Sequence, residues 1–223
     1  MKRWINRDMG KGLFNNIKIL QHIFLLLFVI GLTHQIQGQP LVERYPTGEV
    51  RATGSLLEGQ KSGEWKYFYP NGKRNAIEHY TRGMLDGEIL YFYPSDTLQG
   101  KETWMQGKLM DSAWYYHKNG ALHRKGLYKA SEYDGTWIYY FQNGTVERLV
   151  NYEQGQPDGA TVVFNDRGIR IQEGNYRHGL EDGEWKFYSV AGELEFIGSY
   201  KEGNPTGIWY QFIKGKRKVY KKY

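Results

Sequence analysis

GEWKYFYPNGKRNAIEHYTRGMLD, running from Gly63 to Asp86, is one unit of a pattern that returns every 24 residues with no insertion or deletion. The frame begins at Gly63, Gly87, Asp111, Gly135, Gly159, Gly183 and Gly207. An aromatic follows five residues after each start, at Phe68, Phe92, Tyr116, Tyr140, Phe164, Tyr188 and Phe212. A second sits seventeen after it, at Tyr80, Trp104, Tyr128, Tyr152, Tyr176 and Tyr200. A fixed period of this length belongs to stacked small units rather than to a globular enzyme core.

Within the unit, residues 64–69 alternate, are rich in aromatics and read as a strand. Asn71-Gly72, repeated as Asn119-Gly120 and Asn143-Gly144, predicts a two-residue hairpin turn with positive φ at both positions. Residues 73–80 then return as the second strand, and Gly83 with Asp86-Gly87 predicts a longer turn into the next unit. Asp86, Asp134, Asp158 and Asp182 precede that glycine. They read as turn-forming side chains rather than calcium ligands, since no second carboxylate recurs beside them. Residues 39–62 read as a degenerate first unit with Gly48 and Gly59 in frame. The expected fold is all-β: an elongated single-layer antiparallel β-meander of 24-residue hairpins over residues 39–223, about seven repeats, preceded by an N-terminal signal helix. About fifteen strands at about 4.8 Å spacing make a ribbon of about 70 Å, which right-handed twist should coil.

The turn also predicts a register. If residues 70 and 73 close it, 65 faces 78 and 67 faces 76, and across the longer turn 80 should face 89. Trp65, Tyr67, Tyr69 and Tyr80 then share one face with Trp137, Tyr139, Phe141 and Tyr152, and with Trp185, Phe187 and Tyr200. Gly126, Gly174 and Gly198 fall opposite tryptophan-equivalent positions, leaving rings room to lie on bare backbone. Ala113 occupies one tryptophan slot, and its expected neighbour is Trp104, a larger residue where other units have Tyr, so bulk is expected to be exchanged across the strand pair. The opposite face, with Glu64, Lys66, Asn75 and Ile77 around the Phe68-type aromatic, is more polar.

Composition agrees with β structure: 19 Tyr, 10 Phe and 7 Trp stand beside 28 Gly that fall at fixed repeat positions. The first 38 residues differ. Lys2, Arg3, Arg7, Lys11 and Lys18 precede an apolar run from Ile23 to Leu32, then a short polar stretch ending at Gly38. This is the layout of a secretory signal peptide, with an uncleaved anchor as the alternative and Met9 as a second possible start. The expectation is an exported chain, placed in the periplasm, at the cell surface or secreted. With no Cys, neither a disulfide nor a lipid-modified cysteine anchor is available. The net charge of +6 comes from the two ends, for the last ten residues hold Lys214, Lys216, Arg217, Lys218, Lys221 and Lys222. The array between them is mildly acidic, which argues against nucleic acid as partner. The basic tail should protect a sheet edge, or touch anionic lipid weakly.

The pattern G-x-W-x-x-[YF]-[YF]-x-N-G followed by Y-x-x-G-x-x-D-G resembles MORN-type repeats in their bacterial variant form. Residues 63–72 and 183–188 match best, and the resemblance spans about residues 41–216. It departs at Ile89, Ser95 and Asp96, at Asp111 and Ala113, and at Thr161 and Val163. The resemblance implies an elongated antiparallel sheet acting as a scaffold or binding module, with lipid or protein partners. Many bacterial variants are labelled antitoxins, which would imply a cytosolic toxin as partner and conflicts with the signal segment.

No catalytic constellation is visible. His79, His117, His123 and His178 occupy four different repeat positions; His117 and His123 flank one turn and could approach each other, but a metal would need further ligands. Glu181, Asp182 and Glu184 read as a solvated turn. No glycine loop opens a helix that could hold phosphate. No enzyme activity, cofactor or metal is expected. The aromatic face is the one candidate surface, with Trp65, Tyr67, Tyr80, Trp137, Tyr139, Tyr152, Trp185, Phe187, Tyr200 and Trp209 as its residues. These rings are either the core of a single-layer sheet or an open platform for a partner. The expected role is a non-catalytic exported scaffold with a protein partner. The alternatives are an antitoxin- or immunity-type protein that occludes a toxin, and a glycan or cell-wall binding module.

Overall fold

A computed structural model describes residues 38–223, and every regular element in them is a β-strand. The expected signal segment lies outside the described residues. The strands are β1 (Gln39–Arg44), β2 (Val50–Leu57), β3 (Gln60–Phe68), β4 (Arg74–Thr81), β5 (Met84–Leu85), β6 (Gly87–Phe92), β7 (Leu98–Met105), β8 (Lys108–Tyr116) and β9 (Leu122–Lys129). There follow β10 (Glu132–Tyr140), β11 (Val146–Glu153), β12 (Gln156–Phe164), β13 (Arg170–Arg177), β14 (Leu180–Glu181), β15 (Gly183–Tyr188), β16 (Leu194–Lys201), β17 (Asn204–Ile213) and β18 (Lys216–Lys222). They form one 18-stranded antiparallel sheet in which each strand pairs with its neighbour in sequence. The short β5 and β14 are breaks in a row: β4 pairs with both β5 and β6, and β13 with both β14 and β15.

The two kinds of turn are the reverse of the expectation. At Asn71-Gly72 only Gly72 has positive φ (78°), Gly72 N–H donates to Tyr69 O at 2.9 Å, and Tyr69 N–H donates to Lys73 O at 2.8 Å. This is a three-residue loop: a type I turn over Pro70-Asn71 closed by a left-handed glycine. The side chain of Asn71 accepts from Lys73 N–H at 3.0 Å, which holds the turn from within. The tight two-residue turns lie at the other end of each hairpin, as at Glu58-Gly59 and Arg82-Gly83, where both residues have positive φ and the flanking residues pair directly.

The register inside each hairpin nevertheless stands, with Trp65 opposite Glu78 and Tyr67 opposite Ala76. The loop closes at 69–73 rather than 70–73, which alone would turn every later side chain over. A bulge then leaves Asn75 unpaired, since Phe68 faces Arg74 while Tyr67 faces Ala76, and the faces are restored. Between hairpins the expectation fails: Tyr80 faces Leu85, not Ile89. The two-residue turn at Arg82-Gly83 sets that pairing, and a second bulge at the frame glycine then shifts the ladder to Ala76 opposite Tyr91. The frame position itself needs positive φ in all seven units, from Asp111 at 60° to Gly87 at 117°, and Asp111 is its one side-chain-bearing member.

Successive hairpins are also tied at their loops. Tyr45, Tyr69 and Tyr93 donate their hydroxyls to the carbonyls of Phe68, Phe92 and Tyr116, each 23 residues on, at 2.8–2.9 Å. His117 continues the series to Tyr140 O at 2.9 Å. On the more polar face Lys66–Glu64 and Arg74–Asp96 form exposed ion pairs, and Arg74 lies over the Phe92 ring at 4.2 Å. β18 forms the last edge, and all seven of its residues are exposed.

Candidate functional site: the aromatic face

The tryptophan slot of each unit makes the spine of the sheet. Trp65, Ile89, Ala113, Trp137, Thr161, Trp185 and Trp209 are all buried, the four indoles between 0% and 7% exposed. A single-layer sheet manages this by laying each ring on its neighbour strand. A Cβ on Gly54, Gly126, Gly174 or Gly198 would stand 2.1–2.3 Å from the indole of Trp65, Trp137, Trp185 or Trp209 respectively. These glycines precede their tryptophans by eleven residues. The ring on each glycine thus belongs to the following hairpin, not to the residue paired with it inside its own hairpin. The bulge at the frame position makes room: Thr53 faces Lys66 and Ser55 faces Ser62, so Gly54 alone lies across from residues 63–65. The carbonyls beside that bulge take the indole N–H: Trp65 to Ser55, Trp137 to Leu127, Trp185 to Asn175 and Trp209 to Ser199, at 3.0–3.2 Å.

Where the slot holds no tryptophan, the residue eleven before it is not glycine: Glu78 precedes Ile89, Glu102 precedes Ala113, and Val150 precedes Thr161. The exchange of bulk expected between Ala113 and Trp104 across the strand pair is not found. Trp104 faces Leu109, and Ala113 faces Gly126. The side chain that takes the space of the missing indole is Glu102, itself 8% exposed. Its carboxylate accepts from Tyr115 Oη at 2.5 Å and Trp104 Nε1 at 2.9 Å, so the buried charge is hydrogen-bonded. Burial, and then Glu102, push the Tyr115 hydroxyl well above the ordinary tyrosine range.

A second row lies along the tight-turn margin of the same face. Here the residue at each 80-type position, aromatic in every unit but the first, faces the residue four before the next tryptophan slot. The facing pairs are Leu56–Lys61, Tyr80–Leu85, Trp104–Leu109, Tyr128–Tyr133, Tyr152–Pro157, Tyr176–Glu181 and Tyr200–Pro205. Each second member acts as a plug beside the slot residue, which is an indole in four of the units. Lys61 Nζ stands 4.4 Å from the Trp65 ring centre, 5.0 Å from Tyr67 and 5.1 Å from Tyr80. Tyr133 lies between Tyr128 and Tyr152, 5.0 Å from each, and edge-on to Trp137 at 4.4 Å. This row is not apparent from the aromatics alone; its signal is the period-24 position of Lys61, Leu85, Leu109, Tyr133, Pro157, Glu181 and Pro205.

Of the ten residues expected to form the face, Trp65, Trp137, Tyr139, Trp185 and Trp209 are buried, whereas Tyr67, Tyr80, Tyr152, Phe187 and Tyr200 are half-buried. The structure brings them together in consecutive clusters, with Trp65 stacked beside Tyr67 at 6.2 Å and Trp185 beside Phe187 at 6.3 Å. The indoles act as core, and the open part of the face is the tyrosine–plug margin. Burial, then the Glu78 carboxylate that its hydroxyl meets at 2.6 Å, push Tyr80 up to about 12. His117 and His123 do meet across their turn, ring centres 4.4 Å apart, and burial followed by the neighbouring His117 lowers the His123 pKa. Among the described residues no three His, Asp or Glu side chains group as metal ligands.

A meander of hairpins with an in-frame tryptophan on backbone glycine defines a β-hairpin repeat protein. The family model described as MORN repeat variant matches residues 61–81 and 133–154, each running from a plug residue through its tryptophan to the end of the return strand. At these two places the array carries MORN-type repeats, and repeats of that kind are generally protein- or membrane-binding modules. No curated protein matches the chain significantly.

Proposed function

We propose that this chain is an exported, non-catalytic scaffold that binds a protein partner along the tight-turn margin of its array. The observation that carries this reading is the division of labour on the aromatic face. The indoles are consumed as core, while the tyrosine–plug row stays half-open and is flanked by exposed apolar side chains at Met84, Met105 and Leu180. Flexible methionines beside tyrosines suit a protein surface.

In-cell crosslinking of the tagged full-length protein, followed by affinity capture and mass spectrometry, tests the reading. One stoichiometric protein is expected, and it should be lost in a Met84→Glu/Met105→Glu variant. Capture of wall fragments without a protein would favour a glycan module instead. A toxin as partner, with growth arrest on loss of this chain, would assign the antitoxin role. Fractionation with intact-mass measurement tests export, with a mature N-terminus expected near Gln39.

A further inference from the structure

Six of the seven plug positions suit the rings around them. Leu85, Leu109, Pro157 and Pro205 are apolar, Tyr133 is a flat ring lying between two tyrosines, and Lys61 is a cation held over three aromatic rings. Glu181 is the exception. It faces Tyr176 across the strand pair, and the clusters on either side are continuous through Trp185, 5.2 Å from Tyr176 and 5.9 Å from Tyr200. Aromatic faces are negative and attract cations, so a carboxylate here opposes the local field. Among the described residues no cation pairs with it, although Asp182 next to it is paired with both Arg177 and Lys201. Its Oε2 lies toward the turn, 3.7 Å from where a Cβ on Gly203 would stand. Burial, and then Glu181, hold the hydroxyls of both Tyr176 and Tyr200 above their ordinary range.

We propose that Tyr176, Glu181 and Tyr200 form a receptor for an arginine side chain presented by a partner protein. This rests on the scaffold reading and names the chemistry of the partner. The fold already contains both halves of the recognition. Lys61 shows a cation seated at the equivalent position, and Tyr133 shows a planar group held between the two flanking tyrosines, stacked on Tyr128 and tilted against Tyr152. A guanidinium is both cationic and planar. Arginines already lie on tyrosines of this face, Arg124 over Tyr115 at 4.4 Å and Arg148 over Tyr139 at 4.2 Å. Trp185 is covered, so the arginine enters from the turn side. There it meets the Glu181 carboxylate bidentately, with the tyrosine rings on its flanks.

The test is titration of full-length protein with an acetyl-Gly-Arg-Gly-amide peptide, followed by the ring NMR signals of Tyr176 and Tyr200. The same peptide with citrulline in place of arginine serves as the comparison. The expected result is a saturable shift with arginine, at least tenfold weaker with citrulline, and at least tenfold weaker for Glu181→Gln. Glu202→Gln, at the adjacent turn, should bind as the wild type does. Equal affinity of Glu181→Gln, equal affinity for citrulline, or no shift at either tyrosine overturns the proposal. Unchanged thermal unfolding of Glu181→Gln confirms that the array is intact. If crosslinking captures a partner that Glu181→Gln still holds, this inference fails alone. If the peptide binds but no partner is captured, the scaffold reading fails alone.

Discussion

Trp137 lies flat on Gly126: a methyl group at that glycine would stand 2.3 Å from indole Cδ2 and 2.4 Å from Cε2. The indole N–H completes the contact by donating to Leu127 O at 3.0 Å. Gly126→Ala should therefore cost several kcal/mol, although alanine favours strands more than glycine does. Trp137→Ala should cost about 3–5 kcal/mol, as for a fully buried ring. The two losses should not add, because the three atoms nearest a methyl at 126 all belong to the indole. A urea-melt double-mutant cycle measures the coupling, expected to exceed about 1 kcal/mol. Additive losses would show that ring and glycine are not in contact.

The rule that links Trp to Gly can be inverted at the third unit. Ala113→Trp alone should destabilise, since the new indole would fall on the Glu102 side chain. Glu102→Gly with Ala113→Trp recreates the Gly126–Trp137 arrangement and should regain most of the loss. Thermal melts of the single and double variants check this; a double variant no more stable than Ala113→Trp contradicts the pairing.

Asp111 holds φ at 60° where every other unit has glycine, and its Oδ1 accepts from Ser112 N–H at 2.7 Å. That bond offsets the left-handed strain. Asp111→Gly removes strain and bond together and should change stability by less than about 0.5 kcal/mol. Asp111→Ala keeps the strain without the bond and should cost about 1–2 kcal/mol in urea melts.

Acid should weaken the fold through His123. Its pKa is lowered from the ordinary 6.5, first by burial and then by His117. The unfolded chain therefore binds the proton more readily than the folded one. The stabilisation is complete above pH 6.5 and is lost as pH falls from there through the folded pKa. Urea melts between pH 8 and pH 5 should show a drop that His123→Phe reduces. An equal drop in the variant would assign the dependence to other groups.

How far residue order alone reaches can be followed residue by residue. The period located every hairpin, and the alternation of Trp65, Tyr67 and Tyr80 identified the buried face, because side chains on a strand alternate whatever the turn does. The turns were misread for a local reason. Asn71-Gly72 looks like a two-residue turn, yet Pro70 and Asn71 adopt a type I turn and only Gly72 needs the left-handed conformation. The face assignment survived because the unpaired Asn75 cancels the extra loop residue. Arg82-Gly83 gave no comparable signal, since arginine at a φ of 52° is not expected from the dipeptide. The pairing of Tyr80 was missed with it.

The array, its unit length and the aromatic face follow from order and spacing, because a strict repeat with turn glycines has one way to pair its strands locally. The fate of the aromatics did not follow. Whether an indole is core or platform depends on what lies beneath and beside it, and that is set by bulges, which place Trp137 over a glycine eleven residues earlier. The tyrosine–plug row likewise exists only once the tight turns bring Tyr176 opposite Glu181. Contacts between neighbouring units depend on register, and a register shift of one or two residues is invisible in composition while it decides which side chains touch.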